Sequence, residues 1–437
     1  MKKYHIYIPI EIFVREINSK ILFTLNAVNK NYRVYLGTKN GIDKVIKKKI
    51  KEKNKSGFYF YKSQIIKNRK YIHEIKNDFE KFIILDEELG VGVSNIKDTL
   101  NRRVINVNEI DKFFIIGKIM MENLIRYKPT FKKKTFISGW LKYDIYHKKN
   151  LNLFLSEVNE IKRKYKDFYL FSSNYGALSS KGLKARIKSN SDIKKSNDYF
   201  TFKKSIKDFS FLKKSFFIFF KENPKINFII RPHPSDQLYS DWKVFEKFKN
   251  VKVINKYDIV PWIMASKGLI HRGCTTAIDA VFLKKPVYYF LPNRKMLKVE
   301  KNLTYKISNK INNLDLIKTK IFKKMKNQNS VIQKEIYYKR PAAELILKEL
   351  QKIKITKENK ISFNYYENFI NYLLPFLGNI KIFLKKYILR HSILKNTKMP
   401  KFIETKNLIE KLNSINSKNI KINVKKITRG VFEIEKI

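Results

Sequence analysis

Two polar segments in the second half of the chain carry side chains that suit the binding of a phosphate group. Each follows a short apolar run that is typical of a strand, at 227–230 and at 268–271. The first segment consists of Arg231, Pro232, His233 and Pro234, and the second of Gly273, Cys274, Thr275 and Thr276. Histidine can pair with a phosphate, and small hydroxyl residues before the helical pattern at 277–283 leave backbone N–H groups open to an anion. The sequence therefore predicts that both segments bind the same nucleotide phosphate.

Each of these segments also has a structural interpretation. A His-Pro pair is common in turns, and threonines often cap helices without any ligand. His271, at the end of the second run, is a candidate for nucleotide binding, but a structural histidine that orients the loop is favoured. Arg231 either complements the phosphate charge or pairs with an acid inside the fold. Cys274 is the only cysteine, so no internal disulfide is possible, and a small buried thiol is favoured over a nucleophile.

Three acidic residues crowd together after another apolar run, at 82–85. They are Asp86, Glu87 and Glu88, and a leucine separates them from Gly90. Repulsion between the carboxylates is expected to raise the pKa of at least one of them, as a general base requires. The alternative, which the residues alone favour, is that these acids cap the next helix or face water.

The elements that must position these residues follow the alternation of strands and helices that is typical of a parallel sheet. In the first part of the chain, the predicted strands are 4–9, 33–36, 57–61, 81–85 and 112–116. This rhythm predicts an α/β protein with one domain at 1–150, a second at 165–350, and a basic, mostly helical extension at 351–437. Ligands of such sheets lie beyond the carboxyl ends of the strands, where the polar segments begin.

Four further residues are predicted to face the cleft between the domains. Arg15 and Glu16 lie on the first helix, where Arg15 is suited to pair with a carboxylate of the acceptor or the donor. Gly139 belongs to a turn after a strand, and Asn174 ends the first strand of the second domain.

The net charge of +56 allows two kinds of anionic partner. Nucleic acid is disfavoured, because the lysines are spread along the whole chain and no recognised nucleic-acid module occurs. An anionic membrane surface suits diffuse lysine equally well, and the apolar and basic run at 369–389 is a candidate for docking there or for packing on the other domains. Without a signal peptide or a long apolar window, we expect a cytoplasmic protein, free or peripheral on the inner face of the membrane.

Residues 1 to about 350 resemble the bacterial surface carbohydrate biosynthesis proteins. The segments that carry the resemblance occur in the family's order. They are the opening IYIPIEIFVREINSK with Arg15 and Glu16, LDEELG, SGWLKYDIY, FSSNYG, RPHPSD, the tryptophan of VPWIMAS, and IHRGCTTAIDA followed by KKPVYYFLP.

The resemblance implies a glycosyltransferase of the GT-B type, in which two Rossmann-like domains face each other across a cleft. It implies no metal and no cofactor, and a nucleotide-sugar donor held by the second domain. Similarity to the sialyltransferases and Kdo transferases that carry a His-Pro motif implies a CMP-linked donor, with His233, Thr275 and Thr276 on its phosphate and Asp86 or Glu87 as the base. The acceptor would be a surface polysaccharide or a lipid-linked glycan. The alternatives are a CDP-alditol glycerophosphotransferase-like enzyme and a non-enzymatic basic protein of the membrane surface.

Overall fold

The structure, a computed structural model, describes residues 4–51, 57–65, 81–87, 89–91, 96–175, 197–233, 240–292, 302–318, 328–353, 403–428 and 430–437. Within these residues the chain forms two β-sheets. The strands of the first sheet are β1 (His5–Ile10), β2 (Arg33–Thr38), β3 (Gly57–Tyr61), β4 (Lys81–Leu85), β5 (Lys112–Ile115), β6 (Thr135–Ile137), β13 (Ile422–Thr428) and β14 (Val431–Lys436). Their order is β13-β14-β2-β1-β3-β4-β5-β6, and the strands from β2 to β6 pair in parallel.

The second sheet is parallel throughout. Its strands are β7 (Phe168–Ser172), β8 (Asn227–Arg231), β9 (Val251–Val253), β10 (Gly268–His271), β11 (Val287–Phe290) and β12 (Asn309–Ile311). They lie in the order β12-β11-β10-β7-β8-β9. Successive side chains point to opposite faces, so that Leu170 and Phe171 pack into two separate hydrophobic clusters. Helices therefore cover both faces of this sheet.

The helices of the first half of the chain are α1 (Phe13–Asn29), α2 (Lys39–Lys51), α3 (Ile96–Arg103), α4 (Lys118–Tyr127), α5 (Leu141–Asp144) and α6 (Leu155–Tyr165). Those of the second half are α7 (Asn197–Glu222), α8 (Ser240–Lys243), α9 (Ile259–Ala265), α10 (Thr276–Phe282), α11 (Leu303–Lys306), α12 (Gln328–Glu335), α13 (Ala342–Gln351) and α14 (Thr405–Ile415). Helix α6 links the two sheets and packs against α9 of the second domain.

The end of the chain returns to the first domain. Helix α12 contacts both α4 and α10, and α13 packs on α1 and α5. Asp144 accepts hydrogen bonds from the N–H groups of Ala342 and Ala343, at 2.7 and 2.8 Å, and so caps α13. Burial raises the pKa of Asp144 to about 7, and these two bonds oppose the shift.

The C-terminal hairpin departs from the predicted mostly helical extension within residues 403–437. Strand β14 pairs antiparallel with β2, with Phe432 opposite Leu36, and the guanidinium of Arg33 donates to Glu435 at 2.8 Å. The hairpin carries the charged residues Lys425, Lys426, Glu433 and Glu435, so that its strands are hard to distinguish by sequence from the lysine-rich helices. Helix α13 falls almost wholly within the predicted second domain at 165–350 but packs on the first. The run at 369–389 lies outside the described residues.

The fold confirms the predicted α/β class, with two Rossmann-like domains facing each other across a cleft as in the GT-B arrangement. None of the helices in the described ranges has the length and apolar content that a membrane crossing requires.

Candidate functional site

The cleft between the domains has a volume of about 1360 Å³ including its open mouth. Both domains line it. The first contributes residues from the ends of β1, β3 and β4 and from the start of α1, and the second contributes residues that follow β7, β8 and β10. The carboxyl ends of the parallel strands of both sheets thus meet in one space, as the topology of doubly wound sheets requires.

His233 and the threonine loop lie together on the second-domain side of this cleft. His233 follows β8 and is partly exposed, and Cys274, Thr275 and Thr276 line the same space. The Oγ1 atom of Thr276 is shielded from water and has no hydrogen-bond partner within the described residues. Pro234 lies outside those residues.

His271 holds this loop from behind and does not line the cleft. It is fully buried, and its Nδ1 accepts hydrogen bonds from the N–H groups of Gly273 and Cys274, both at 3.2 Å. Its Nε2 therefore carries the proton and donates to Ser308 Oγ at 2.8 Å, while Ser308 in turn donates to the carbonyl of Thr304. Burial, and then the charge of Arg272, lower the pKa of His271 to about 3, so that the ring is neutral.

This arrangement corrects the predicted phosphate seat. Two of the loop's N–H groups are directed at His271 and are not available to a ligand. On this side of the cleft, His233, Thr275 and Thr276 line the space that a phosphate would enter.

Arg231 contacts the backbone of the segment that follows β9. Its guanidinium donates to the backbone carbonyls of Lys256 and Tyr257, at 2.6 and 2.9 Å, and lies 5.6 Å from the ring of Trp262. Tyr257 has a φ of 65°, a conformation that is uncommon for a residue with a side chain. Arg231 thus stabilises this strained turn next to the cleft. The residue itself is buried, with an exposed fraction of 5%.

The acidic cluster divides between the fold and the cleft. Asp86 is 2% exposed and forms a bidentate ion pair with Arg103, with distances of 2.6 and 2.8 Å. It is not among the residues that line the cleft, so its assignment as a possible base is corrected. Glu87 lines the cleft, and its Oε1 accepts a hydrogen bond from the N–H group of Lys142 at 3.4 Å. Glu88 lies outside the described residues.

Two acids that line the cleft have raised pKa values. Burial raises the pKa of Glu16, and Lys20 opposes this shift. The Glu16 carboxylate accepts from the N–H groups of Glu11 and Ile12, at 3.1 and 3.2 Å, and so fixes the start of α1. Burial also raises the pKa of Asp258, which bonds to Asn18 Nδ2 across the domain boundary at 3.0 Å.

Of the other residues that were predicted to face the cleft, one lines it and two do not. Arg15 lines the cleft with Glu16. Gly139 is not among the residues that line the cleft. It has a φ of 75°, and a Cβ atom there would lie 2.2 Å from the carbonyl oxygen of Tyr337. It allows the chain that returns from the second domain to pass close to β6. Asn174 is exposed beside Gly273 and is not among the lining residues.

Several cleft residues were not predicted. They are Lys20, Lys39, Lys62, Tyr61 and Asp258, whereas Ser172 and Ser173, and Trp140 and Lys142 within the segment at 135–144, belong to stretches that the sequence does place near the cleft. Lys142 also joins the domains, because its Nζ donates to the buried Asp279 at 2.6 Å and Tyr146 donates to the same carboxylate at 2.7 Å. In a chain with 94 basic residues, the lysine type carries no signal that would single these out. The described residues contain no cluster of three or more histidine, cysteine, aspartate or glutamate side chains that could hold a metal ion.

No protein-family model matches the chain, and no curated protein matches its sequence. Solved structures with a similar course of the chain include the UDP-GlcNAc 2-epimerase of Methanocaldococcus jannaschii in complex with UDP-GlcNAc and UDP, at 14% identity and a TM-score of 0.48, covering 80% of this chain and 99% of that one. The UDP-GlcNAc 2-epimerase of Neisseria meningitidis bound to UDP-GlcNAc is 12% identical, with a TM-score of 0.49 and coverages of 81% and 100%. The wall teichoic acid polymerase TagF is 11% identical, with a TM-score of 0.48 and coverages of 80% and 89%.

Proposed function

We propose that this protein is a glycosyltransferase that moves a sugar from a nucleotide donor to a hydroxyl group of a surface polysaccharide or lipid-linked glycan. The observation that carries the proposal is that His233 and Thr275 from one domain and Glu87 from the other line a single cleft. A transfer between two bound substrates requires such an arrangement, because donor and acceptor must be held against each other for the reaction to be effectively intramolecular.

The charge of the cleft favours an anionic donor. Six lysine and arginine residues line it, namely Arg15, Lys20, Lys39, Lys62, Lys142 and Arg231, of which Lys142 also pairs with the buried Asp279. Four acids oppose them, namely Glu11, Glu16, Glu87 and Asp258. The positive excess attracts a phosphate into a cleft whose walls concentrate the field. We assign the donor phosphate to His233, Thr275 and Thr276, since Thr276 Oγ1 has no partner in the described part of the fold.

The proposed reaction uses residues from the two sides in different roles. The bond between the anomeric carbon and the phosphate oxygen breaks, and its electron pair stays on the phosphate. The acceptor oxygen forms the new bond to the anomeric carbon, and Glu87 takes its proton. His233 donates a hydrogen bond to the departing phosphate, where negative charge accumulates in the transition state. Asp86 is excluded as the base in this scheme, because Arg103 holds its carboxylate inside the fold.

The donor that we propose is CMP-linked, with a Kdo-like or sialic-acid-like sugar. The support for this choice is the similarity of the His-Pro pair in RPHPSD and of the acidic LDEELG segment to the corresponding signatures of such transferases. We do not infer the nucleobase from contacts in the cleft, so CMP must be tested against other nucleotides.

The test combines binding with product analysis. Thermal unfolding is measured with CMP, CDP, UDP and GDP, since a ligand that binds the folded state raises the melting temperature. The protein is then incubated with CMP-sugars and glycan acceptors, and the products are analysed by mass spectrometry. We expect a shift with CMP and a product that is one sugar heavier, which Glu87→Gln does not form. A shift with CDP and a product that carries an added phosphate would instead indicate an alditol phosphate transferase, and no response to any nucleotide would contradict the proposal.

A further inference from the structure

The outward face of α7 carries apolar side chains that the core does not use. Ile206, Phe211, Phe217 and Ile218 are 41%, 38%, 42% and 51% exposed. The described part of the chain has ten exposed large hydrophobic residues, and four of them lie on this one helix. The opposite face is already packed, because its aromatic residues fill the hydrophobic cluster on that side of the second sheet. A helix that is apolar on both faces needs a cover on the outside.

A row of lysines runs through this apolar surface. Lys207, Lys214 and Lys221 recur every seven residues, which is almost two whole turns, and all three are exposed. The surface continues onto a short 3-10 helix, Val244–Lys247, where Val244 is 55% exposed and Lys247 Nζ lies 4.0 Å from the centre of the Phe217 ring.

The charge of this surface is strongly positive. From residue 206 to 222 and from 244 to 247, the lysines are Lys207, Lys213, Lys214, Lys221 and Lys247. The acids of the same two segments are Asp208, Glu222 and Glu246, of which Asp208 is buried in an ion pair with Arg272. Basic side chains therefore outnumber exposed acids five to two at the place where the apolar side chains emerge.

We propose that the outward face of α7, together with the turn Val244–Lys247, docks the protein on an anionic lipid bilayer. The apolar side chains would enter the boundary between headgroups and acyl chains, while the long lysine side chains keep their ammonium groups at the level of the lipid phosphates. A nucleic acid fits less well, because three of the five exposed apolar side chains, Ile206, Ile218 and Val244, have no ring on which a base could stack. A second copy of the same face fits less well, because two lysine rows would repel each other.

The test measures co-sedimentation of the full chain with vesicles of phosphatidylcholine, with and without phosphatidylglycerol. We expect binding only to the anionic vesicles, and weakening as salt is added. The triple variant Lys207→Gln, Lys214→Gln, Lys221→Gln should lower the partition coefficient by about 100-fold. The double variant Phe211→Ser, Ile218→Ser should lower it by at least about 10-fold. Because all five positions are exposed, the melting temperature should stay unchanged in both.

A matched control removes the same charge from another surface. The triple variant Lys132→Gln, Lys133→Gln, Lys148→Gln replaces exposed lysines of the first domain and its linker, and it should bind anionic vesicles like the wild type. Equal loss in the control would reduce the effect to net charge and overturn the proposal. So would wild-type binding by both α7 variants, which would assign membrane binding elsewhere, for example to 369–389. Dissociation of a dimer by Ile218→Ser, or loss of RNA binding without loss of vesicle binding, would overturn it as well.

Discussion

The end of β4 in the first domain and the end of β10 in the second present the same pattern with different chemistry. At each strand end, one polar residue points into the fold, and another, one to four positions later in the chain, lines the cleft. Asp86 pairs with Arg103 while Glu87 faces the cleft, and His271 holds its loop while Thr275 faces the cleft. A polar residue at a strand end is therefore as often the support of a site as a part of it, and the two roles predict opposite effects of mutation.

The largest expected effect is on the acid that faces the cleft. Glu87→Gln should lower kcat by about 10²- to 10⁴-fold, because the proton of the acceptor hydroxyl loses its base while the shape of the side chain is kept. The melting temperature should change little, since the hydrogen bond that Glu87 accepts from the N–H group of Lys142 is long, at 3.4 Å. Steady-state kinetics of sugar transfer measure the first quantity and thermal unfolding the second. Wild-type turnover in this variant would remove Glu87 from the mechanism.

The neighbouring acid should respond in the reverse manner. Asp86→Asn leaves Arg103 without its bidentate carboxylate partner, and breaking a buried ion pair on one side costs about 3–5 kcal/mol in the free energy of unfolding. Urea unfolding measures this loss. The value of kcat per folded molecule should stay near that of the wild type. A stable but inactive Asp86→Asn protein would reverse the assignment of the two acids.

On the second-domain side, His233→Ala should cost about 2–4 kcal/mol in transition-state stabilisation, measured as kcat/KM for the donor. Its stability should change little, because the residue is partly exposed at the cleft. The variant His233→Gln distinguishes hydrogen-bond donation from proton donation, because glutamine can donate a hydrogen bond but not a proton. Recovery of most of the activity in this variant supports the hydrogen-bonding role. Unaltered kcat/KM in His233→Ala would contradict any contact with the donor.

The buried histidine should make the stability of the protein depend on pH. Burial lowers the pKa of His271 from 6.5 to about 3, so the unfolded chain binds a proton that the folded chain does not bind between these values. The stability that the neutral ring contributes is therefore complete above about pH 6.5 and is lost progressively as the pH falls toward about 3. Urea unfolding across this window should show a steeper loss for the wild type than for His271→Gln. Identical slopes for the wild type and His271→Gln would refute the role of His271.

Much of the architecture was predictable because apolar strands and their turns are local patterns. The strands β1 to β5 begin and end within two residues of the predicted positions, and the segments at 231–233 and 273–276 do follow β8 and β10. The C-terminal hairpin was not predictable, since β14 takes its place through pairing with β2, almost 400 residues earlier in the chain. Long-range pairing leaves no periodic signal of its own beyond the strand pattern.

The candidate site was predictable in part for the same reason. Strand ends identify which loops reach the cleft, but the direction of each side chain depends on partners from distant elements, such as Arg103 for Asp86 and Ser308 for His271. The lysines of the cleft were hidden by composition. Lys142 became recognisable only through the contact of its Nζ with Asp279, which belongs to the other domain.

The measurement that tests the account most directly is calorimetric titration of CMP into the wild type, His233→Ala and Glu87→Gln. If His233 binds the donor phosphate while Glu87 serves the acceptor, His233→Ala should weaken CMP binding by about 10-fold or more, and Glu87→Gln should bind CMP as tightly as the wild type. Equal CMP affinity in the wild type and His233→Ala, or a loss of CMP affinity confined to Glu87→Gln, would contradict the assignment of the donor to His233 and of the acceptor to Glu87.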